Sequence, residues 1–349
     1  MISIRPPKSQ LTNICISLLL GLSLCWWLPS SVPNNPPRYL QPGLDWQKIS
    51  TSIPVLTFAN PDTSITHQLY LLKDATNVPL MYYADILTPV CIDGVCKPVY
   101  LEMYWDLLGQ YVGFGEYPNH PLTKYDHDLF TPEDYVKLQE LLLDRNSILD
   151  RKNLDDLYDL RSVANEKIEY NGVEIDGISG ATKTEIKSSI VSGALYSCHR
   201  LWNLAHGAAS AKIRTHLSQI YTDTLAECFL RSEISTYRYY AVRQMEGSAF
   251  ADFDPIFAVY QRGNPLVRKH ILKKIPDSLF QLTRIHGPLY RTFPDLDGTS
   301  KTLLIDKLSL APAAAPALAP HLVKMTKNQL KTYLKHLQIS PKQDGNFLK

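Results

Sequence analysis

Residues 174–186 read EIDGISGATKTEI (Glu174–Ile186). Small and hydroxyl-bearing residues stand between acids, after a strand-like segment and before an apolar pattern with helical spacing. Gly180 and Ala181 leave the backbone open to a bulky group. Thr182 stands just before the expected helix, where free N–H groups and the helix dipole attract an anion. Two readings follow from the residues alone. One puts an anion or phosphate near Thr182; the other is a tight turn with Ser179 or Thr182 as an N-cap.

Working outward, KIEYNGVEI (Lys167–Ile175) predicts a hairpin about Asn171-Gly172. On the other side one long helix is expected from about Thr184 to Leu204. Its apolar stripe is Ile186, Ile190, Ala194, Cys198, Leu201, Trp202 and Ala205. Upstream, HQLYLL (His67–Leu72), LMYYADIL (Leu80–Leu87) and VYLEMYW (Val99–Trp105) predict strands. The last alternates, with Val99, Leu101, Met103 and Trp105 on one face and Tyr100, Glu102 and Tyr104 on the other, as a half-buried strand would. A short strand is expected at Tyr111–Phe114. In TPEDYVKLQELLLD, Thr131 caps a helix with Pro132 in its first turn and Asp134 completing the cap. A shorter helix is expected at Asn153–Leu160.

Beyond residue 208 strand signals vanish and helical segments recur: Lys212–Ile220, Thr224–Leu230, Tyr237–Met245, Pro255–Gln261, Pro265–Lys274, Leu303–Leu308 and Asn328–Leu337. Breaks are expected at Gly263, Pro276, Gly287-Pro288 and Pro294. GNPLVRKHILKKIPDSLF (Gly263–Phe280) resembles one turn of a HEAT-type repeat, although no strict period recurs. APAAAPALAP (Ala311–Pro320) reads as a linker or a proline-broken helix. The expected job of this part is docking.

The chain of 349 residues is 45% hydrophobic and 20% charged, which suits two folded domains. Its net charge of +2 gives no overall case for nucleic acid. From residue 209 onward it carries 20 of the 36 Lys/Arg and 11 of the 34 Asp/Glu, net +9; the part before is net −7. Two units with different surfaces are implied. At the N-terminus Arg5 and Lys8 precede ICISLLLGLSLCWWL (Ile14–Leu28), the length of an export-signal core and short for a membrane span. LSLC (Leu22–Cys25) resembles a lipoprotein box, and cleaved, lipidated and uncleaved-anchor forms all remain open. Residues 1–30 are therefore assigned to a signal peptide or membrane anchor and 31–39 to a linker. The other assignments are 40–208 to an α+β domain, 209–340 to an all-α, helical-repeat-like domain and 341–349 to a tail.

Of six cysteines, Cys15 and Cys25 fall in the apolar N-terminal segment, and Cys198 and Cys228 read as small core residues. CIDGVC (Cys91–Cys96) is different. Asp93-Gly94 is a type I′ turn signal that sets Cys91 opposite Cys96 in a non-hydrogen-bonded pair, with Cα atoms about 4.5 Å apart. That spacing admits a disulfide; a redox-active dithiol and two separate thiols are the other readings. His120, Asp126, His127 and Asp128 crowd one segment but read as a polar loop, and no metal site is expected.

The residues DGISGATKT (Asp176–Thr184) resemble the flavinylation motif of FMN-binding domains, D-x-x-[ST]-G-A-T-x-[ST], found in flavin-bearing subunits of sodium-pumping NADH:quinone oxidoreductases and of Rnf complexes. The resemblance covers the motif and the segment after it closely and the preceding strands loosely. It implies FMN, taken from FAD by an FMN transferase and joined to Thr182 by a phosphoester. Asp176, Ser179, Gly180 and Ala181 would complete the motif that the transferase reads. The family's glycine-rich loop over the flavin is not evident; YWDLLGQYVGFG (Tyr104–Gly115) stands in its place. Trp105 and Tyr111 flank that loop, and their rings are candidates to stack on the isoalloxazine, although Trp105 shares a face with core residues.

The expectation is thus an α+β FMN-binding domain followed by an all-α domain. It would be an exported, periplasmic or envelope, membrane-associated electron carrier with membrane redox partners. The rival expectations are a cofactor-free envelope scaffold and a flavin reductase with a small-molecule acceptor.

Overall fold

The computed structural model describes residues 37–59, 65–90, 97–124, 127–151, 167–170, 173–176 and 190–339. The expected helix at Asn153–Leu160 and the N-terminal segment lie outside the described residues. The chain divides into two compact units at Leu217/Ser218.

The first unit is built on an antiparallel sheet. Its strands are β1 (Tyr39–Leu40), β2 (Thr51–Ala59), β3 (Thr66–Lys73), β4 (Pro79–Thr88), β5 (Val99–Trp105) and β6 (Tyr111–Glu116), in the order β1-β6-β5-β4-β3-β2. Three strands follow the β-branched and aromatic runs of the sequence. A separate hairpin joins β7 (Lys167–Tyr170) to β8 (Val173–Asp176), with Tyr170 opposite Val173, the register a two-residue turn at Asn171-Gly172 requires. Among its described residues the unit also has the α-helices α1 (Pro132–Leu143), α2 (Leu195–His206) and α3 (Ala208–Ile220). At the start of α1, Thr131 accepts from Asp134 N and Asp134 accepts from Thr131 N, a complete capping box with Pro132 in the first turn.

β5 departs from the half-buried expectation: it is covered on both faces, with Leu101, Met103, Tyr104 and Trp105 all at 0% exposure. On one face Tyr82, Trp105 and Tyr111, neighbours in register across β4, β5 and β6, each reach a different helix. Tyr82 Oη meets His216 Nδ1 at 2.8 Å, Trp105 Nε1 donates to Ala205 O at 2.8 Å, and Tyr111 Oη donates to Gln139 Oε1 at 2.8 Å. On the other face Tyr70, Tyr83 and Tyr104 form a stacked ladder with ring centroids 5.0 and 6.0 Å apart. The segment Leu40–Ile49 lies over it through Leu44, Trp46 and Ile49. Strand alternation reports that the two faces differ; it does not report that a remote segment covers the polar one.

One helix finishes the end of another. The last carbonyls of an α-helix have no partner within it. Trp202 Nε1 donates to Asp144 O and His206 Nε2 meets Leu142 O, at 2.8 and 2.9 Å, so side chains of α2 close the C-terminus of α1.

The long helix expected from Thr184 is not continuous. Residues 177–189 lie outside the described residues, and a turn precedes α2, with Gly193 at φ +77°. A left-handed residue cannot sit inside a right-handed helix, so α2 starts at Leu195, after Gly193. From there the apolar stripe holds: Cys198, Leu201 and Ala205 are at 0% exposure and Trp202 at 3%.

The second unit is helical throughout its described residues: α4 (Asp223–Arg231), α5 (Ser235–Gln244), α6 (Phe253–Arg262), α7 (Pro265–Lys274), α8 (Asp277–Phe280), α9 (Thr283–Arg291), α10 (Gly298–Asp306), α11 (Ala315–Leu318) and α12 (Lys327–Ile339), with short 3-10 turns between. Its core includes Phe250, Tyr260, Val267, Ile271, Leu289 and Leu304. Asn264 caps α7 by accepting from Val267 N, with Pro265 at the first position. Two expectations change. Gly287-Pro288 does not break the helix; α9 runs through Pro288, which has no N–H to give to the Arg284 carbonyl. Cys228 is exposed, because Leu225 and Phe229 form the buried side of α4. Ala311–Pro320 is a proline-broken run of 3-10 and α turns, with Ala311, Ala314, Ala315 and Leu318 in the core.

Candidate functional site

Asp176, the first residue of the motif, is the last residue of β8. Ser179, Gly180, Ala181 and Thr182 lie outside the described residues, as do Cys91, Cys96 and Asp126. Trp105 and Tyr111 lie in the core at 0% and 3% exposure, and neither presents a ring face at the surface. The indole is further held by Phe58, edge-on at 5.9 Å. His120, His127 and Asp128 are exposed, and His120 packs edge-on against Tyr100. Among the described residues no group of His, Cys, Asp and Glu is arranged to hold a metal.

The β4–β5 ladder stops short of the cysteines. It runs unbroken from Tyr82↔Trp105 to Thr88↔Val99. It ends there: Pro89, Val90, Lys97 and Pro98 belong to no strand, and residues 91–96 lie outside the described residues.

A site that strand alternation did not flag lies on the tyrosine-ladder face of the sheet. In register, Asp85 stands opposite Glu102, and Glu102 opposite Gly115. Glu102 is 3% exposed and accepts from Tyr104 Oη at 2.6 Å. Asp85 accepts from Tyr117 Oη, and the Tyr117 ring stacks on Tyr100 with centroids 4.0 Å apart. Burial pushes the Glu102 carboxyl above its usual range and the Asp85 charge adds to this, against the hydrogen bonds from Tyr104 and Tyr117. A Cβ on Gly115 would meet Glu102 Oε2 at 2.7 Å, so the glycine makes room for the carboxyl. The one legible signal was the alternation of Gly113 and Gly115 beside a strand carrying Glu102.

Asp85 also lines an open cavity of about 620 Å³ at the ends of β3, β4 and β5, with His67, Gln68, Leu87, Thr88 and Pro98. His67 is 4% exposed, and its Nε2 has no hydrogen-bond partner. Burial lowers its imidazole pKa, partly countered by the Asp85 backbone. A carboxyl group held toward its neutral form beside a second carboxylate can give and take protons at one place.

No known family profile, curated protein or solved structure matches this chain.

Proposed function

We propose that this protein is an exported electron-transfer flavoprotein carrying FMN as a phosphoester on Thr182. The observation that supports it is the motif Asp176–Thr184, which opens on the last residue of β8. Asp176, Ser179, Gly180 and Ala181 would be read by an FMN transferase. Gly180 and Ala181 leave that enzyme room to reach the Thr182 hydroxyl. The bond formed is Thr182 Oγ to phosphorus, the bond broken is the pyrophosphate of FAD, and AMP leaves while the hydroxyl proton passes to base. The cofactor supplies one- and two-electron transfer. A covalent link makes retention outside the cytoplasm independent of affinity. The helical unit docks the protein to membrane redox partners.

The cavity beside His67 and Asp85 favours a second reading, a flavin reductase with a small acceptor. Asp85 lines that cavity and stands opposite Glu102, whose carboxyl, held toward its neutral form, would supply the proton that accompanies each electron.

Intact mass after coexpression with a flavin transferase tests the main reading. Wild type should gain the mass of FMN, Thr182→Val should not, and Thr184→Val should. A wild type that never gains it beside an active transferase removes the reading and leaves a cofactor-free scaffold. Stopped-flow reoxidation by small acceptors separates carrier from reductase.

A further inference from the structure

We infer that the solvent face of α12, with the segment just before it, docks against an anionic phospholipid surface. This goes beyond the flavin reading and does not depend on it. From Lys307 to Gln343 the sequence holds six lysines, no arginine and no acidic residue. In α12, Gln329 and Tyr333 turn inward: Gln329 Nε2 donates to Gly298 O, and Tyr333 Oη donates to Ala315 O. The opposite face carries Lys327, Lys331 and Lys335 at one-turn intervals, all exposed. Leu334 and Leu337 flank that ridge at 46% and 40% exposure. Just before the helix, Val323 is 94% exposed and Lys324 stands beside it. Among the described residues none of these four lysines forms an ion pair, whereas Lys307 is paired with Asp277.

The composition chooses the partner. Protein interfaces favour arginine and aromatic side chains and deplete lysine. Nucleic-acid surfaces that bind single strands interleave aromatic rings, and here Tyr333, the only Phe, Tyr or Trp of α12, is buried. Lysines with apolar stems over half-exposed leucines suit a lipid headgroup layer, where the ammonium groups meet phosphates and the leucines enter the interface.

Flotation of the full chain with vesicles of phosphatidylglycerol or phosphatidylcholine tests this, at about 50 mM and about 500 mM salt. Partition onto phosphatidylglycerol should exceed that onto phosphatidylcholine, and the excess should collapse at high salt. At roughly fivefold per lysine, the triple variant Lys327→Glu, Lys331→Glu, Lys335→Glu should lower the excess by about 100-fold or more. Leu334→Ser should weaken it further at constant charge. Lys269→Glu with Lys273→Glu, on α7, should leave it largely in place. Equal partition onto both lipids overturns the inference, since such binding belongs elsewhere in the chain. A triple variant that behaves as wild type overturns it too and hands the face to another occupant, such as an acidic protein.

Discussion

Trp105 in β5 donates its indole N–H to the carbonyl of Ala205, 2.8 Å away and 100 residues along the chain. Ala205 lies in the last turn of α2, where carbonyls lack helical partners, so a strand residue finishes a helix. Trp105→Phe removes the donor and part of the packing against Phe58. The expected loss of stability is about 2–3 kcal/mol, from the orphaned carbonyl and the lost contacts. A urea titration checks it; an unchanged midpoint would mean the hydrogen bond contributes nothing.

Asp106, at 0% exposure, accepts from Leu108 N and Gln110 N through Oδ1, while Oδ2 has no partner. Burial pushes its carboxyl from 3.8 up to about 7, against the two backbone hydrogen bonds and Arg145. The folded state therefore holds a proton that the unfolded chain releases. This group's contribution falls as pH rises from about 4 to about 7. Asp106→Asn mimics the neutral form. It should flatten that slope and raise stability at pH 7.5 by up to a few kcal/mol. Melting curves of both proteins between pH 4 and 8 decide it; parallel slopes would contradict the assignment.

Gly113 and Gly115 predict different outcomes. A Cβ on Gly113 would lie 1.9 Å from the backbone carbonyl of Tyr39, which has no rotamer to escape into. Gly113→Ala should detach β1, with faster amide exchange at Tyr39–Gln41 and a loss of about 2 kcal/mol or more. At Gly115 the obstacle is the Glu102 carboxylate end, a movable group, so Gly115→Ala should be milder and should disturb Glu102 and Tyr104 instead.

The Asp93-Gly94 turn signal in CIDGVC leads us to propose a Cys91–Cys96 disulfide. After production in an oxidising compartment, non-reducing peptide mapping should find the two linked. Recovery of both as alkylated thiols would remove the proposal.

The capping box at Thr131, the proline start of α7 and the spans of β5 and α7 were legible because each depends on residues within one or two turns of one another. So was the division into a sheet-bearing part and a helical part, since periodicity is local. The proposed flavin motif is likewise a property of consecutive residues. What alternation in β5 could not convey was that its polar face is also buried. That depends on Leu44, Trp46 and Ile49, which belong to the connection between the two edge strands β1 and β2.

Sequence by itself thus determined the spans of β5 and α7 and the caps that start α1 and α7, while β2 and α9 went unforeseen. Tertiary structure alone decided that Gly193 adopts a left-handed turn just before α2, that Pro288 is carried within α9, and that Trp105 and Tyr111 belong to the core. It alone brought Asp85, Glu102, Tyr104 and Tyr117 together. The physical reason is common to all of them. Burial and hydrogen-bond partnership are set by residues distant in the chain, and a strand's own pattern says what each face prefers without saying what will cover it.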